Sequence, residues 1–181
     1  MKKVSKMNDS LTKNTSDKIA TKTLSELERF IIVDISSQSL IVVESKSIVH
    51  DYKISTSKFG IGNKEGSYKT PTGIHSVAEK IGDGAPGWRI FKDRKDTGID
   101  WHPGITDENM ILTRIIRLRG IEDNVNRGPG IDSYDRYIYI HGTNKEELIG
   151  IPMSHGCICM KNSEIIDLFN IVEEGTIVFI N

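Results

Sequence analysis

A chain of 181 residues is the length of one domain and leaves little for a second. Its 24 Lys and Arg nearly cancel its 25 Asp and Glu, giving a net charge of -1 that argues against nucleic acid as the main partner, while 27 % charged against 37 % hydrophobic residues is an ordinary balance for a chain that folds. The longest apolar run, Phe30-Ile31-Ile32-Val33, is far too short to span a membrane, and two cysteines, Cys157 and Cys159, cannot build a disulfide framework.

The chain opens on a polar stretch. Residues 1–22 are rich in Lys, Ser, Thr, Asn and Asp, with apolar side chains only as isolated points, so the segment buries too little to offset its ordering entropy. We read residues 1–27 as a polar tail and 28–181 as the folded domain. A secretory signal needs a continuous apolar stretch of about 7–15 residues, which this start lacks, so the chain as written carries no recognisable export address.

Short β-like runs follow. Residues 29–35 and 40–44 are rich in Ile and Val and are divided by Ser36-Ser37-Gln38-Ser39, a hairpin connection. Residues 48–55 offer a third strand. The glycine-rich stretch 59–66 lacks the Gly-Lys-Ser/Thr ending of a phosphate loop and is expected to be a surface loop. Thr70-Pro71-Thr72-Gly73 turns into a strand over 74–78, residues 82–101 are expected to be irregular, and 110–118 and 137–140 are strand-like. Residues 163–172 carry apolar side chains at 165, 166, 169 and 172, a helical stripe that Asn162 or Ser163 can cap and Gly175 can end. Residues 176–180 close the chain as a buried strand. The expected fold is mainly β with one or two short helices.

The chemistry gathers between residues 137 and 160. A strand through Tyr137-Ile138-Tyr139-Ile140-His141 places the tyrosines and His141 on one face and the isoleucines on the other. Gly142 then allows a sharp departure, and the chain returns at Ser154-His155-Gly156-Cys157. A cysteine is a nucleophile as its thiolate, which near a free pKa of about 8.5 needs a base or a positive neighbour, and two histidines lie within reach. Gly156 lets a carbonyl approach the backbone, where N–H groups can hold a developing oxyanion. A lone buried cysteine is more often an inert small hydrophobe, and it is the His141 and Ser-His-Gly context that singles out Cys157. Arg117 and Arg119 are candidates to bind carboxylates but serve a strand equally well. His50, His75 and His102 lie outside any motif and are expected to be surface or satisfied core residues.

His141-Gly142 followed by Ser154-His155-Gly156-Cys157 and an aliphatic residue resembles the signature of the L,D-transpeptidase (YkuD-type) catalytic domain. Thr70-Pro71-Thr72-Gly73, Pro86-Gly87-Trp88, Arg117-Leu118-Arg119-Gly120 and Asp132-Ser133-Tyr134 fall where such domains carry similar segments. The resemblance implies a compact domain of two packed mixed β-sheets over residues 28–181. It implies acyl transfer on peptidoglycan stem peptides, with Cys157 as nucleophile, release of a terminal D-alanine, and a 3→3 cross-link or attachment of a lipoprotein. His141 maps onto the base, Gly142 onto the carbonyl that orients it, and His155, Gly156 and Cys157 onto the oxyanion-holding backbone, with Ser154 supporting the loop. Tyr139, Arg117 and Arg119 become candidate substrate-binding residues. The resemblance implies no metal or cofactor, carbapenems as covalent inhibitors, and a place in the cell envelope that the missing signal leaves unexplained.

One position departs. Relatives usually carry Arg immediately after the Cys-Ile pair, where this chain has Cys159, and a thiol cannot supply fixed positive charge. Cys157 and Cys159 are expected on opposite faces, which argues against a direct disulfide. The competing readings are a carboxypeptidase using the same site, a degenerate wall-binding relative, and a soft-metal site of His141, His155, Cys157 and Cys159, whose spacing is unusual for zinc.

Overall fold

The computed structural model describes residues 27–106 and 108–181, so residues 1–26 of the tail read at 1–27 lie outside the described residues, while Leu27 packs against an apolar cluster of the domain. Three strands open the fold as an antiparallel meander, β1 (Arg29–Asp34), β2 (Ser39–Glu44) and β3 (Ser47–Lys53), with Gln38 in the left-handed region at φ 50° closing the first hairpin. The last strand, β10 (Ile177–Ile180), returns parallel to β1, and β4 (Gly73–Ile81) and β7 (Leu112–Gly120) extend the sheet antiparallel beyond it. Ile31, Val33, Leu40, Val42, Val178 and Ile180 face one apolar cluster and Phe30, Ile32, Ile41, Val43 and Phe179 another, so these strands are buried on both faces and read as unbroken apolar runs.

The sheet forks at the start of β7. Leu112 pairs with Ile90 of β5 (Arg89–Lys92) and also with Gly142 of β8 (Tyr139–Gly142), and the register breaks between Leu112 and Ile115. Thr113 sits in that break at φ 70°, a strained conformation for a β-branched residue. β9 (Ile158–Met160) then pairs parallel with β8. Two packed sheets were expected, and they are found hydrogen-bonded through β7 into one mixed system. The single described α-helix, α1 (Asn162–Ile171), packs its Ile165, Leu168 and Phe169 into the main core against β7 and β8. Fully burying each such side chain contributes about 2 kcal/mol.

Residues 82–101, expected to be irregular, contain the β5–β6 hairpin, with β6 at Lys95–Asp100. Every residue of β6 is exposed, so it carries no apolar alternation to betray it. Its turn, Asp93-Arg94 at φ 49° and 65°, supplies the pair of left-handed residues that a tight hairpin demands. The glycine-rich loop is a surface loop as expected, stitched to the domain where the Arg136 guanidinium donates to the carbonyls of Gly62 (3.2 Å), Asn63 (2.9 Å) and Lys69 (2.7 Å).

Candidate active site

The parallel pairing of β8 and β9 builds the site. Ile140 faces Ile158 in the core, and His141 faces Cys159 on the opposite side of the sheet. Continuing the register by one residue sets Cys157 beside Tyr139, and Cys157 packs against the cluster of Tyr139, Phe91 and Ile115. The two thiols therefore share a face, and the expectation that they diverge is wrong: side chains alternate along a strand, so residues two apart point the same way. Tyr137 also departs from expectation. It precedes the strand at φ 56° and is exposed, and its carbonyl accepts from Cys157 Sγ at 3.5 Å.

His141 is 2 % exposed. Its Nδ1 lies 2.7 Å from the carbonyl of Gly142, which can only accept, so Nδ1 carries the proton and Nε2 holds the free lone pair. Desolvation lowers the imidazole pKa from 6.5 to about 4, against the raising effect of that hydrogen bond, so the ring is neutral near neutrality. Nε2 faces Cys159 Sγ at 3.8 Å, and Cys159 also accepts from Asn109 Nδ2 at 3.4 Å. Burial raises Cys157 to about 11, opposed by a backbone hydrogen bond at Tyr139 and by the charge of Arg136, and raises Cys159 to about 12. The resting site is thus a neutral imidazole facing the protonated thiol of Cys159, with the protonated thiol of Cys157 on the same face of the sheet.

The turn before Cys157 is tied at each end. Ser154 Oγ donates to the Cys157 carbonyl (2.6 Å) and accepts from the Gly156 amide (3.2 Å). Thr70 Oγ1 donates to the Gly156 carbonyl (3.0 Å), which brings the Thr-Pro-Thr-Gly turn against the cysteine segment. Gly156 adopts φ +125°, a region that disfavours any side chain. Its amide is committed to Ser154. His155 is exposed, with its ring 5.5 Å from that of Phe59 and 5.7 Å from that of Tyr68, in an aromatic cluster of its own.

The histidine segment is held by α1. A Cβ on Gly142 would lie 2.3 Å from Asn162 Oδ1 and 2.8 Å from the Leu112 carbonyl, so only glycine fits there. Thr113 Oγ1 donates to Asn162 Oδ1, and Asn162 Nδ2 donates to the Thr143 carbonyl (2.8 Å) and to Glu146 Oε1 (2.7 Å). Asn162 was expected as a helix cap, but the cap position is Lys161, and Asn162 instead ties the loop after Gly142 to the helix. Thr143 Oγ1 donates to Asn109 Oδ1 (2.6 Å), closing a chain from the loop through Asn109 to Cys159. The residues that the sequence does not single out include Asn109, Thr113 and Arg136, none of which stands in a motif.

Of the candidate substrate-binding residues, Tyr139 is 4 % exposed beside Cys157, Arg117 is 6 % exposed and pairs with Glu79 (3.3 Å), and Arg119 is exposed two residues further along β7. His75 is a satisfied core residue, with Nδ1 3.0 Å from the Gly73 carbonyl and Nε2 2.9 Å from Ser133 Oγ. Among the described residues no group of three or more His, Cys, Asp or Glu is gathered as metal ligands are. Nor is any described helix long and apolar enough to cross a membrane.

Comparison with known proteins places this geometry. Residues 28–180 match the L,D-transpeptidase catalytic domain, YkuD. The Bacillus subtilis protein YqjB, named as a candidate L,D-transpeptidase, is 51 % identical over 47 residues, which cover 25 % of this chain and 27 % of that protein. Among solved structures, an L,D-transpeptidase from Xylanimonas cellulosilytica superposes with a TM-score of 0.57 at 17 % identity, over 93 % of this chain and 70 % of that one. LdtMt1, an L,D-transpeptidase in complex with imipenem, superposes with a TM-score of 0.52 at 18 % identity, over 85 % of this chain and 59 % of that one. At these identities the structural likeness speaks for the fold.

Proposed function

This chain belongs to the L,D-transpeptidase catalytic domain family, and on that premise we propose that it transfers acyl groups between peptidoglycan stem peptides through a thioester on Cys157, in the cell envelope where that substrate lies. One observation carries the reading: Cys157 and His141 lie on one face of adjacent parallel strands, with the acceptor nitrogen of the imidazole turned to that face. Cys157 Sγ attacks the carbonyl at the L-centre of the diamino-acid residue, and His141 Nε2 takes the thiol proton. Because the thiol is raised and the imidazole lowered, proton transfer accompanies attack rather than preceding it. The Gly156 amide being committed to Ser154, the oxyanion falls to the amides of His155 and Cys157. Such a donor is typically worth about 3 kcal/mol of barrier.

Collapse of the tetrahedral adduct breaks the peptide bond, and D-alanine leaves as its amine with the proton from His141. A second stem's side-chain amine, or water, then attacks the thioester and gives its proton to Nε2; the C–S bond breaks, and the imidazolium returns that proton to the Cys157 thiolate. The Gly142 carbonyl holds the imidazole through these steps, and Asn162 ties down the loop that follows it. LdtMt1, whose fold this chain shares, is found in complex with imipenem, which supports a carbapenem as a probe of this site.

A disaccharide-tetrapeptide offered to the purified chain and followed by mass spectrometry tests the proposal. D-alanine release with a cross-linked dimer marks a transpeptidase, and release with tripeptide alone marks the carboxypeptidase reading. Both must vanish in Cys157→Ala. No release by the folded protein would overturn the proposal.

A further inference from the structure

Beside the cysteine the sheet carries more positive charge than its own carboxylates neutralise. Glu79, Arg117 and Tyr139 form one row across β4, β7 and β8, which Cys157 continues on the far side. Arg119 lies on the same face of β7, its guanidinium 4.6 Å from the centre of the Tyr134 ring. Arg94 reaches over from the β5–β6 turn, donating from Nη1 to the Tyr139 hydroxyl at 3.3 Å and lying 4.9 Å from the centre of the Tyr137 ring.

Among the described residues Arg117 is the one of these guanidiniums in an ion pair, with Glu79, whose carboxylate also accepts from the Tyr134 hydroxyl. Among the described residues neither Arg94 nor Arg119 has a carboxylate within ion-pair distance. Arg117 Nε is buried with no hydrogen-bond partner. Tyrosine faces are attractive seats for guanidinium groups, but they leave the in-plane N–H donors unspent. With Glu79 offsetting one of the three charges, the patch keeps a net positive charge that an anion placed beside it neutralises. The nearest anion that a stem peptide can bring is the carboxylate of the residue leaving the scissile bond, only a few bonds from the carbonyl that Cys157 attacks. Position 159, where relatives of this type carry arginine, is here a fully buried thiol facing His141, so it presents no charge to a substrate.

We propose that Arg94 is the specificity-determining cation of this site and binds the carboxylate of the acyl donor's leaving residue. The proposal rests on the acyl-transfer reading above, and its test separates the two. In full-length Cys157→Ala protein, which binds without turnover, calorimetric titration compares a diaminopimelate-containing tetrapeptide ending in D-alanine with the same peptide as its C-terminal amide. The free acid binds about tenfold more tightly or better, as a charge-assisted hydrogen bond provides. Adding Arg94→Gln removes that preference while amide binding holds, and Arg94→Lys retains part of it. Equal binding of acid and amide by the Cys157→Ala protein, or a preference that survives Arg94→Gln, overturns the proposal. D-alanine release by the unmutated chain reports the acyl-transfer reading separately.

Discussion

Acidification from about pH 6.5 to 4.5 should destabilise the fold steeply, because His75 and His141 are both buried as neutral rings. His75 is fully buried and His141 is 2 % exposed. Desolvation lowers each from 6.5 to about 4, outweighing the backbone hydrogen bonds to Gly73 and Gly142 that raise them. Within that window the unfolded chain binds a proton at each ring and the folded chain does not. Their stabilisation is therefore complete above about pH 6.5 and is lost as the pH falls toward 4. The slope is about 1.4 kcal/mol per pH unit for each ring, about 2.7 for the two, so roughly 5 kcal/mol is gone by pH 4.5. That matches the lower end of what holds a domain folded. Asp34 and Glu79, whose carboxyls are held below their ordinary values, lose their contributions mainly at still lower pH, and Glu164, raised by burial, works weakly in the opposite sense. Urea unfolding followed by circular dichroism across the window reads the slope, and His75→Gln should remove about half of it. An unfolding free energy unchanged between about pH 6.5 and 5, or the full slope retained by His75→Gln, would show that these rings are not what couples stability to pH.

Two further outcomes follow from the site. With its thiol raised to about 11, Cys157 should react with iodoacetamide about tenfold faster per pH unit above neutrality, and a plateau near neutral pH would show a preformed thiolate instead. Gly142→Ala places its Cβ against Asn162 and the Leu112 carbonyl, so it should cost about 1–3 kcal/mol in a thermal melt and slow β-lactam acylation about a hundredfold. Parental acylation by that variant would show that the glycine clamp does not position His141.

What could be read from the sequence follows the physics of each segment. Phe30 to Val33 and Ile177 to Ile180 announce buried strands because both of their faces meet apolar partners. The stripe of Ile165, Leu168 and Phe169 announces a helix with one buried face. The β5–β6 hairpin was not legible because its second strand is wholly exposed and its turn uses Asp93-Arg94 rather than glycine. Cys157 and His141 were legible as a motif, and period-two alternation already required Cys157 and Cys159 to share a face. The roles of Asn162 and Asn109 were not, since they depend on strand register and helix docking that bring distant segments together. Arg94 belongs to the same class, its place beside Tyr139 arising from a hairpin that crosses in space from far along the chain.

We propose that Cys157, not Cys159, is the nucleophile. Intact-mass measurement of the folded protein after exposure to a carbapenem tests it most directly. A single covalent adduct is expected in the unmutated chain, absent in Cys157→Ala and retained in Cys159→Ser. An unmodified protein, or an adduct that persists in Cys157→Ala and disappears in Cys159→Ser, would contradict it.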